Sequence, residues 1–435
     1  MKNILNIGLI GYGTVGAGVV KCLIEKKREL KEKCGIMLNL KKIADIDIKK
    51  DRGIKIDKSV LTESANDIIN DSEIDIVVEL IGGINPAREF ILSAIKKKKH
   101  IVTANKALLS ESAEIIFKEA NENNVIVNFE ASVAGGIPLL KALKEGLIAN
   151  RITSIYGIVN GTCNYILTNM SICGKSFAEA LKEAQDKGFA EANPAFDIEG
   201  KDTAHKLAVL AMLAYGIPVK FSDINCEGIT ALTPLDLKYA HKLNYEIKLL
   251  AIAKIHHNTL DLRVHPTLIP QKSILANTNF ENNAVYIVGD YTGPTMFYGK
   301  GAGMMPTASS VISDIVDIAI KTGGGNDNPQ SKLQYFFNKQ NLSISPMFAL
   351  KTKYYLRITT KDKKYVLSNI SKILSDNQIS IASLLQTETN EHGDAIIIIM
   401  THQTIEKSIL NAVDTLKKLS TIKENILTLR VEEDM

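Results

Sequence analysis

Residues Ile4 to Ile10, ILNIGLI, form a short isoleucine-rich apolar run that leads directly into Gly11-Tyr12-Gly13-Thr14-Val15-Gly16. A buried strand that meets G-x-G-x-x-G and then a helix constrains the fold more than any other stretch of the chain. It is the opening of a dinucleotide-binding βαβ unit. Gly11 serves the tight turn, Gly13 the close approach of a pyrophosphate, and Gly16 the packing of the helix, expected over Ala17 to Lys33, on the strand. Free N–H groups at the helix start face the phosphates. Thr14 and Val15 therefore join the three glycines as cofactor-binding candidates.

Strand-like and helical segments then alternate through the first 140 residues. Met37 to Ala44, Ile74 to Leu80 and His100 to Ala104 read as strands, and Pro86 to Lys98 as a helix. This is the order of a doubly wound parallel sheet. Asp45 and Asp47 follow the second strand, where an acidic residue accepts hydrogen bonds from a ribose 2′-OH and repels a 2′-phosphate. NAD is thereby favoured over NADP; Lys49 and Lys50 act against it, and a solvated turn is the alternative. Thr103-Ala104-Asn105-Lys106 lies at the carboxyl end of a strand, where such sheets bind ligands. The Lys106 ammonium can donate to a substrate oxygen or to the nicotinamide edge, unless it is a helix-start lysine in water.

Composition excludes several classes. Lys and Arg number 52 against 48 Asp and Glu, a net charge of +4, and the basic clusters follow helical apolar positions. Neither pattern is a nucleic-acid patch. No apolar run reaches the length of a membrane span and no leader-like segment precedes the first strand, so a cytoplasmic protein is expected. Five cysteines without metal-type spacing point to free thiols.

Ala184 to Lys206, AQDKGFAEANPAFDIEGKDTAHK, gathers five carboxylates around turn-forming residues. Gly188 and Asn193-Pro194 put Glu191 and Asp197 on turns. Asp202 opens an apolar-periodic run (Ala204, Leu207, Ala208, Leu210, Ala211) that reads as a helix, with Asp202 and Lys206 on one face. Alone, this pair reads as a surface ion pair at a helix start, worth little. The longer pattern resembles the fingerprint of homoserine dehydrogenase, which Ala184, Gly188, Phe189, Ala190, Asn193, Pro194, Asp197, Ile198, Gly200, Asp202 and Lys206 fit.

The resemblance implies an NAD(P)-dependent oxidoreductase interconverting L-homoserine and L-aspartate 4-semialdehyde in threonine and methionine biosynthesis. It implies that Lys206 donates and accepts the proton, that Asp202 orients it, that Lys106 polarises the carbonyl, and that Glu191 with Asp197 takes the substrate ammonium. The N-G-T run Asn160-Gly161-Thr162 is similar to the family's nicotinamide-side turn, so Gly161 and Thr162 contact the cofactor, as do Thr103, Gly188 and Gly303 by the same likeness. Glu130, delivered by a strand into a small-residue loop with free carbonyls, suits a hard monovalent cation; a tight turn with Glu130 capping a neighbour is the alternative. In the family a sodium site is formed by residues matching Glu130, Val133, Gly135 and Ile137.

Three domains are expected: a Rossmann-type domain over 1–140, completed by a helix near 305–321; a mixed α+β substrate and dimerisation domain over 141–304, with strands at Ile152 to Val159, Ile224 to Thr230, Glu246 to Lys254, Leu260 to His265 and Ala284 to Asp290; and, after a linker at 322–349, a βαββαβ segment over 350–435 that resembles an ACT domain. This last segment implies an amino-acid effector such as threonine, although Lys364-Tyr365 stands where many such domains have Pro-Gly; dimerisation alone is the alternative. The Gly/Asn-rich linker, with every candidate site residue before Pro329, leads to the expectation of a separable module on a homodimer or homotetramer. Two other classes compete. A phosphorylating semialdehyde dehydrogenase needs a cysteine nucleophile with a histidine base, and Cys163 has no histidine near it in sequence. A non-catalytic amino-acid sensor would leave Lys106, Glu191, Asp202 and Lys206 without a use.

Overall fold

Strand Ile4–Ile10 sits inside a six-stranded parallel sheet in the order Leu61–Thr62, Met37–Ala44, Ile4–Ile10, Ile76–Glu79, His100–Thr103, Val127–Asn128. Ile7 pairs with Leu40 on one side and Ile76 on the other, and the strand is buried on both faces from Ile7 to Ile10, which is why it reads as an apolar run and not as an alternation. The computed structural model describes residues 3–323, 342–386, 394–423, 426–433 and 435. They fall into two compact units, Met1–Val159 with Ala204–Ile224 and Asn282–Leu342, and Asn160–Thr203 with Asn225–Glu281 and Ser343–Met435.

In the first unit the helix expected over Ala17 to Lys33 starts earlier and breaks once. It runs Thr14–Glu25, and a second helix, Lys27–Cys34, buries only Leu30 and ends at Gly35 with φ 75°. After Glu25 the apolar stripe is nearly gone, so the chain has little reason to follow the sheet. Helix Met304–Gly323 returns to this core, where Ala308, Val311, Ile312, Ile315 and Ile318 pack with Leu5, Ile7, Val19, Val20 and Leu23. A Cβ on Gly18 would lie 2.7 Å from the Met304 carbonyl oxygen, so glycine lets the two helices touch. Each such buried Leu, Ile or Val contributes about 1.5–3 kcal/mol. The unit also holds an antiparallel trio, Ile152–Ile158, Asn282–Gly289 and Gly293–Lys300. The last was not expected as a strand: Gly293, Pro294 and Gly299 look like turn residues, but at the end of a sheet a proline loses no ladder bond.

Helix Met304–Gly323 also carries a buried carboxylate. Asp314 Oδ2 accepts from the Glu130 N–H at 2.8 Å, and Lys141 Nζ lies 3.9 Å from Oδ1. Burial pushes the Asp314 carboxyl up from 3.8 to about 7. The folded protein therefore keeps a proton across that window that the unfolded chain has lost, and stability falls as pH rises through it. Asp314→Asn should keep the acceptor and raise Tm by a few degrees at pH 8, with no gain near pH 4. Melting curves at the two pH values check this, and an equal Tm at pH 8 refutes it.

The second unit is built on the hairpin Tyr245–His256 and Thr259–Pro270. Strand Thr259–Pro270 takes three more segments in parallel: Asn225–Cys226, Ser343–Ile344 and Leu427–Val431. The strand expected over Ile224 to Thr230 thus shrinks to two residues, because by Ile229 the chain has left the ladder and donates to the Ile198 carbonyl at 2.8 Å. Leu427–Val431 in turn pairs antiparallel with Lys351–Lys361, followed by Asp394–Thr401 and Ile381–Gln386. Helices Val366–Asp376 and Glu406–Leu416 cover this sheet through Ile370, Leu374, Ile409 and Leu416. The βαββαβ order is as expected, with one addition, the two-residue strand Thr404–Ile405 on Lys351–Thr352. Tyr365, in the place of a Pro-Gly turn, has φ 71° at the helix N-cap.

Of the linker expected over 322–349, residues 324–341 lie outside the described residues. Thr322 and Gly323 finish a helix, Ser343–Ile344 form a strand, and Met347–Ala349 form a 3-10 turn. Residues 343–435 and the hairpin share one compact unit, so the expectation of a separable module does not match the packing. Among the described residues no helix is long and apolar enough to cross a membrane.

Candidate active site

The three motif glycines of the first unit have different reasons. Gly11 has φ 99°, and a Cβ there would lie 2.8 Å from the Leu80 carbonyl; one on Gly16 would lie 2.2 Å from the Gly11 oxygen. Gly13 has nothing within 4 Å of its Cβ position and no side-chain cap at the helix start. Open space beside uncapped N–H groups at the positive end of a helix suits a phosphate. The turn fits the pyrophosphate of a nicotinamide dinucleotide.

Asp45, at the end of the second strand, is already engaged. Its Oδ2 accepts from Tyr12 N–H at 2.6 Å and its Oδ1 from Asp47 N–H at 2.8 Å. Arg52 pairs with it at 3.2 Å, reaches the Tyr12 and Asp47 carbonyls, and lies 4.6 Å over the Tyr12 ring. Arg52 is a residue that the sequence argument missed, because it stands seven positions beyond Asp45 and only the fold-back brings it home.

A second missed residue is Glu79. It is wholly buried at the end of its strand, with Oε1 accepting from Ile81 N–H at 2.9 Å and Gly82 N–H at 3.2 Å, and Oε2 from the Thr103 hydroxyl at 2.6 Å. Burial pushes its carboxyl up. Asn105 donates to the Gly83 carbonyl at 2.6 Å and caps the next helix by accepting from Leu108 N–H at 3.0 Å. Glu79 and Asn105 thus fix two strand-end loops and with them Lys106, the first residue of helix Lys106–Glu122.

Lys206 is half-buried, and its Nζ donates to the Val159 carbonyl at 2.7 Å. Beside it His205 stacks on Phe221 at 4.8 Å, with Nδ1 2.6 Å from the Ser110 hydroxyl. Ser110 is on the helix that Lys106 begins, so the helices bearing the two lysines are tied together. Gly303 has φ 122° just before helix Met304–Gly323.

In the loop proposed for a cation, Glu130 accepts from Leu140 N–H at 2.8 Å and Lys141 N–H at 2.7 Å, one on each oxygen, and burial pushes its carboxyl up. The Ile137 carbonyl accepts from Leu139 N–H at 2.8 Å. Val133 is buried, and Gly135 packs so closely that a Cβ would lie 2.7 Å from the Thr307 hydroxyl.

In the second unit Asn160 is the organising residue. Its Nδ2 donates to Asp197 Oδ1 and to Asp202 Oδ2, each at 2.8 Å, while its Oδ1 caps helix Gly161–Cys173 by accepting from Cys163 N–H at 2.8 Å. Thr162 donates to the Phe189 carbonyl at 2.6 Å and lies 3.2 Å from Asp197 Oδ2. Cys163 is wholly buried with its thiol on the Asp197 carbonyl, a packed group and not a nucleophile. Gly188, at φ 74°, and Glu191 are exposed on the turn after helix Phe177–Asp186. Asp202 is buried one turn before Lys206 on helix Lys201–Tyr215.

Comparison with known proteins agrees with this chemistry. Residues 11–130 match the family model of the homoserine dehydrogenase NAD-binding domain, residues 138–316 that of homoserine dehydrogenase, and residues 354–421 that of the ACT domain. The homoserine dehydrogenase of Helicobacter pylori is 44% identical over 99% of this chain and 100% of its own, and that of Neisseria gonorrhoeae 43% identical over 98% of each. The crystal structure of a homoserine dehydrogenase from Thiobacillus denitrificans superposes with a TM-score of 0.92 at 42% identity, covering 100% of both chains. A hyperthermophilic archaeal homoserine dehydrogenase solved in complex with NADPH covers 73% of this chain and 98% of its own, with a TM-score of 0.62 at 25% identity. The chain therefore belongs to the homoserine dehydrogenase family, NAD(P)-dependent oxidoreductases of amino-acid biosynthesis.

Proposed function

We propose that Lys206 moves the proton in the interconversion of L-homoserine and L-aspartate 4-semialdehyde. The observation that carries this is the anchoring of its Nζ on the Val159 carbonyl at 2.7 Å, on the same helix as the buried Asp202. Nicotinamide supplies the hydride acceptor or donor. In reduction the Lys206 ammonium gives a proton to the oxygen as it gains negative charge; in oxidation the amine takes the hydroxyl proton. Asp202 orients the lysine, and Lys106 polarises the carbonyl from its strand-end loop. Glu191 takes the substrate ammonium, with Asp197 holding the turn through Asn160. Gly161, Thr162, Thr103, Gly188 and Gly303 line the cofactor. Steady-state oxidation of homoserine without phosphate tests the assignment: turnover that requires phosphate would point to the phosphorylating semialdehyde class.

We further infer that both NAD and NADP are accepted, with NAD favoured. Asp45 disfavours a 2′-phosphate, and the Arg52 guanidinium 3.2 Å from it offsets part of that repulsion. Arg52→Ala should lower kcat/KM for NADP by roughly tenfold while changing NAD little. Equal losses for the two cofactors would remove Arg52 from the selection. A sodium ion or similar monovalent cation at the loop from Glu130 to Ile137 would take the Glu130 carboxylate, whose oxygens each accept one N–H bond and keep a further lone pair, with the backbone oxygens of Val133, Gly135 and Ile137. The ACT segment is proposed to sense an amino acid such as threonine, in a homodimer or homotetramer.

A further inference from the structure

We propose that Glu227 is a positioning residue for the substrate-binding turn, held in place by Arg430 of the C-terminal segment. This rests on the assignment of Asp197 and Asp202 to the substrate side. Residues 198–200 join helix Ala195–Ile198, which carries Asp197, to helix Lys201–Tyr215, which carries Asp202. Gly200 has φ 83°, and a Cβ there would lie 3.0 Å from Cys226 Sγ and 3.1 Å from the Glu227 oxygen. Gly228 shows the same closeness from the other side, since its Cβ would fall 2.2 Å from the Ile198 oxygen. Ile229 N–H donates to that oxygen at 2.8 Å, and the Cys226 thiol donates to the Glu199 oxygen at 3.4 Å. The turn therefore lies largely backbone on backbone against residues 226–229, with little side chain between them to absorb a shift. Any displacement of that segment reaches the spacing of Asp197 and Asp202.

Two things fix residues 226–229. One is the short pairing with strand Thr259–Pro270, which ends where Glu227 N–H donates to the Val264 carbonyl at 2.8 Å. The other is the Glu227 carboxylate, which accepts from Arg430 Nη1 at 2.9 Å. Arg430 gives its remaining edge to Glu406, through Nε at 2.9 Å and through Nη2, and it is 5% exposed on a strand paired with Thr267 and Leu268. The Glu406–Arg430 pair is already neutral. Glu227 is not needed to balance a buried charge, and its side chain is 42% exposed. What its carboxylate adds is a fixed position for the backbone beneath the substrate turn, set from the C-terminal segment.

The test is Glu227→Ala in the full chain, which removes the acceptor of the Arg430 Nη1 bond. The homoserine KM should rise roughly fivefold or more with the NAD(P) KM unchanged, and amide hydrogen exchange over residues 195–203 should quicken. Arg430→Lys, which keeps the charge but lacks the planar fork that presents separate edges to Glu406 and Glu227, should reproduce the effect, and the double variant should be no worse than either single one. A lower Tm with a homoserine KM within about twofold of native and unchanged exchange overturns the proposal, because that is what a merely structural ion pair would do. If the native chain does not oxidise homoserine, the functional assignment fails by itself. Exchange over 195–203 then decides the positioning role: faster in the variant upholds it, unchanged overturns it.

Discussion

Replacing Lys206 with alanine is expected to lower kcat by ~10²–10⁴-fold, the range that a positioned general acid or base contributes. Cofactor affinity should stay near native, because the glycine-rich turn is formed by Gly11, Gly13 and Gly16 and owes nothing to this side chain. The neighbouring histidine does not replace the lysine. His205 is stacked on Phe221 and has its Nδ1 committed to the Ser110 hydroxyl at 2.6 Å. Steady-state kinetics in both directions, with a fluorescence titration of NADH binding, check the prediction. A variant with near-native kcat would remove Lys206 from the chemistry, and equal losses in binding and turnover would make it a structural residue.

Local signals in the sequence carried far: the glycine motif after an apolar run, the D-x-x-x-K spacing, and the alternation that gives the βαββαβ segment. Each depends on residues within one or two turns of each other, where period and spacing report geometry directly. What was hidden depends on distant chain. Arg52 has no local mark in the sequence, yet it folds onto Asp45 and the Tyr12 ring. Glu79 read as the end of a strand, and nothing nearby announces that Thr103, 24 residues on, donates to its carboxylate. In Leu427–Val431 the alternation of Leu429, Arg430 and Val431 suggests one wet face. All three are buried, and the arginine is satisfied by Glu227 and Glu406 from distant segments. Gly228 gave no turn signal strong enough to end the strand expected to run through it, because its reason is the Ile198 backbone against it.

Removing residues 350–435 is expected to destroy the catalytic part and not to liberate it. A Gly/Asn-rich linker argues for a module that can be cut away, but the packing argues more strongly the other way. Asp236, wholly buried, accepts from Arg357 Nε at 2.7 Å and from the Tyr355 hydroxyl at 3.1 Å. Glu432 accepts from Arg263 at 2.9 Å and from Lys254 at 2.8 Å. Arg263 would keep Asp261 at 2.8 Å, but Asp236 would lose its guanidinium partner. The deletion uncovers Asp236 as it removes these partners, so what is lost is the two bonds to its carboxylate, about 1.5–3 kcal/mol each, a large share of the ~5–15 kcal/mol that holds a protein folded. The truncation also strips Leu427–Val431 from Thr267 and Leu268, baring part of a sheet edge that invites aggregation. The truncated chain should therefore be insoluble or lose its cooperative melting transition, as circular dichroism and sedimentation would read. A soluble truncation with native kcat/KM would show that the segment is a detachable module, and that the ion pairs on Asp236 and Arg263 hold it to the catalytic part without holding that part together.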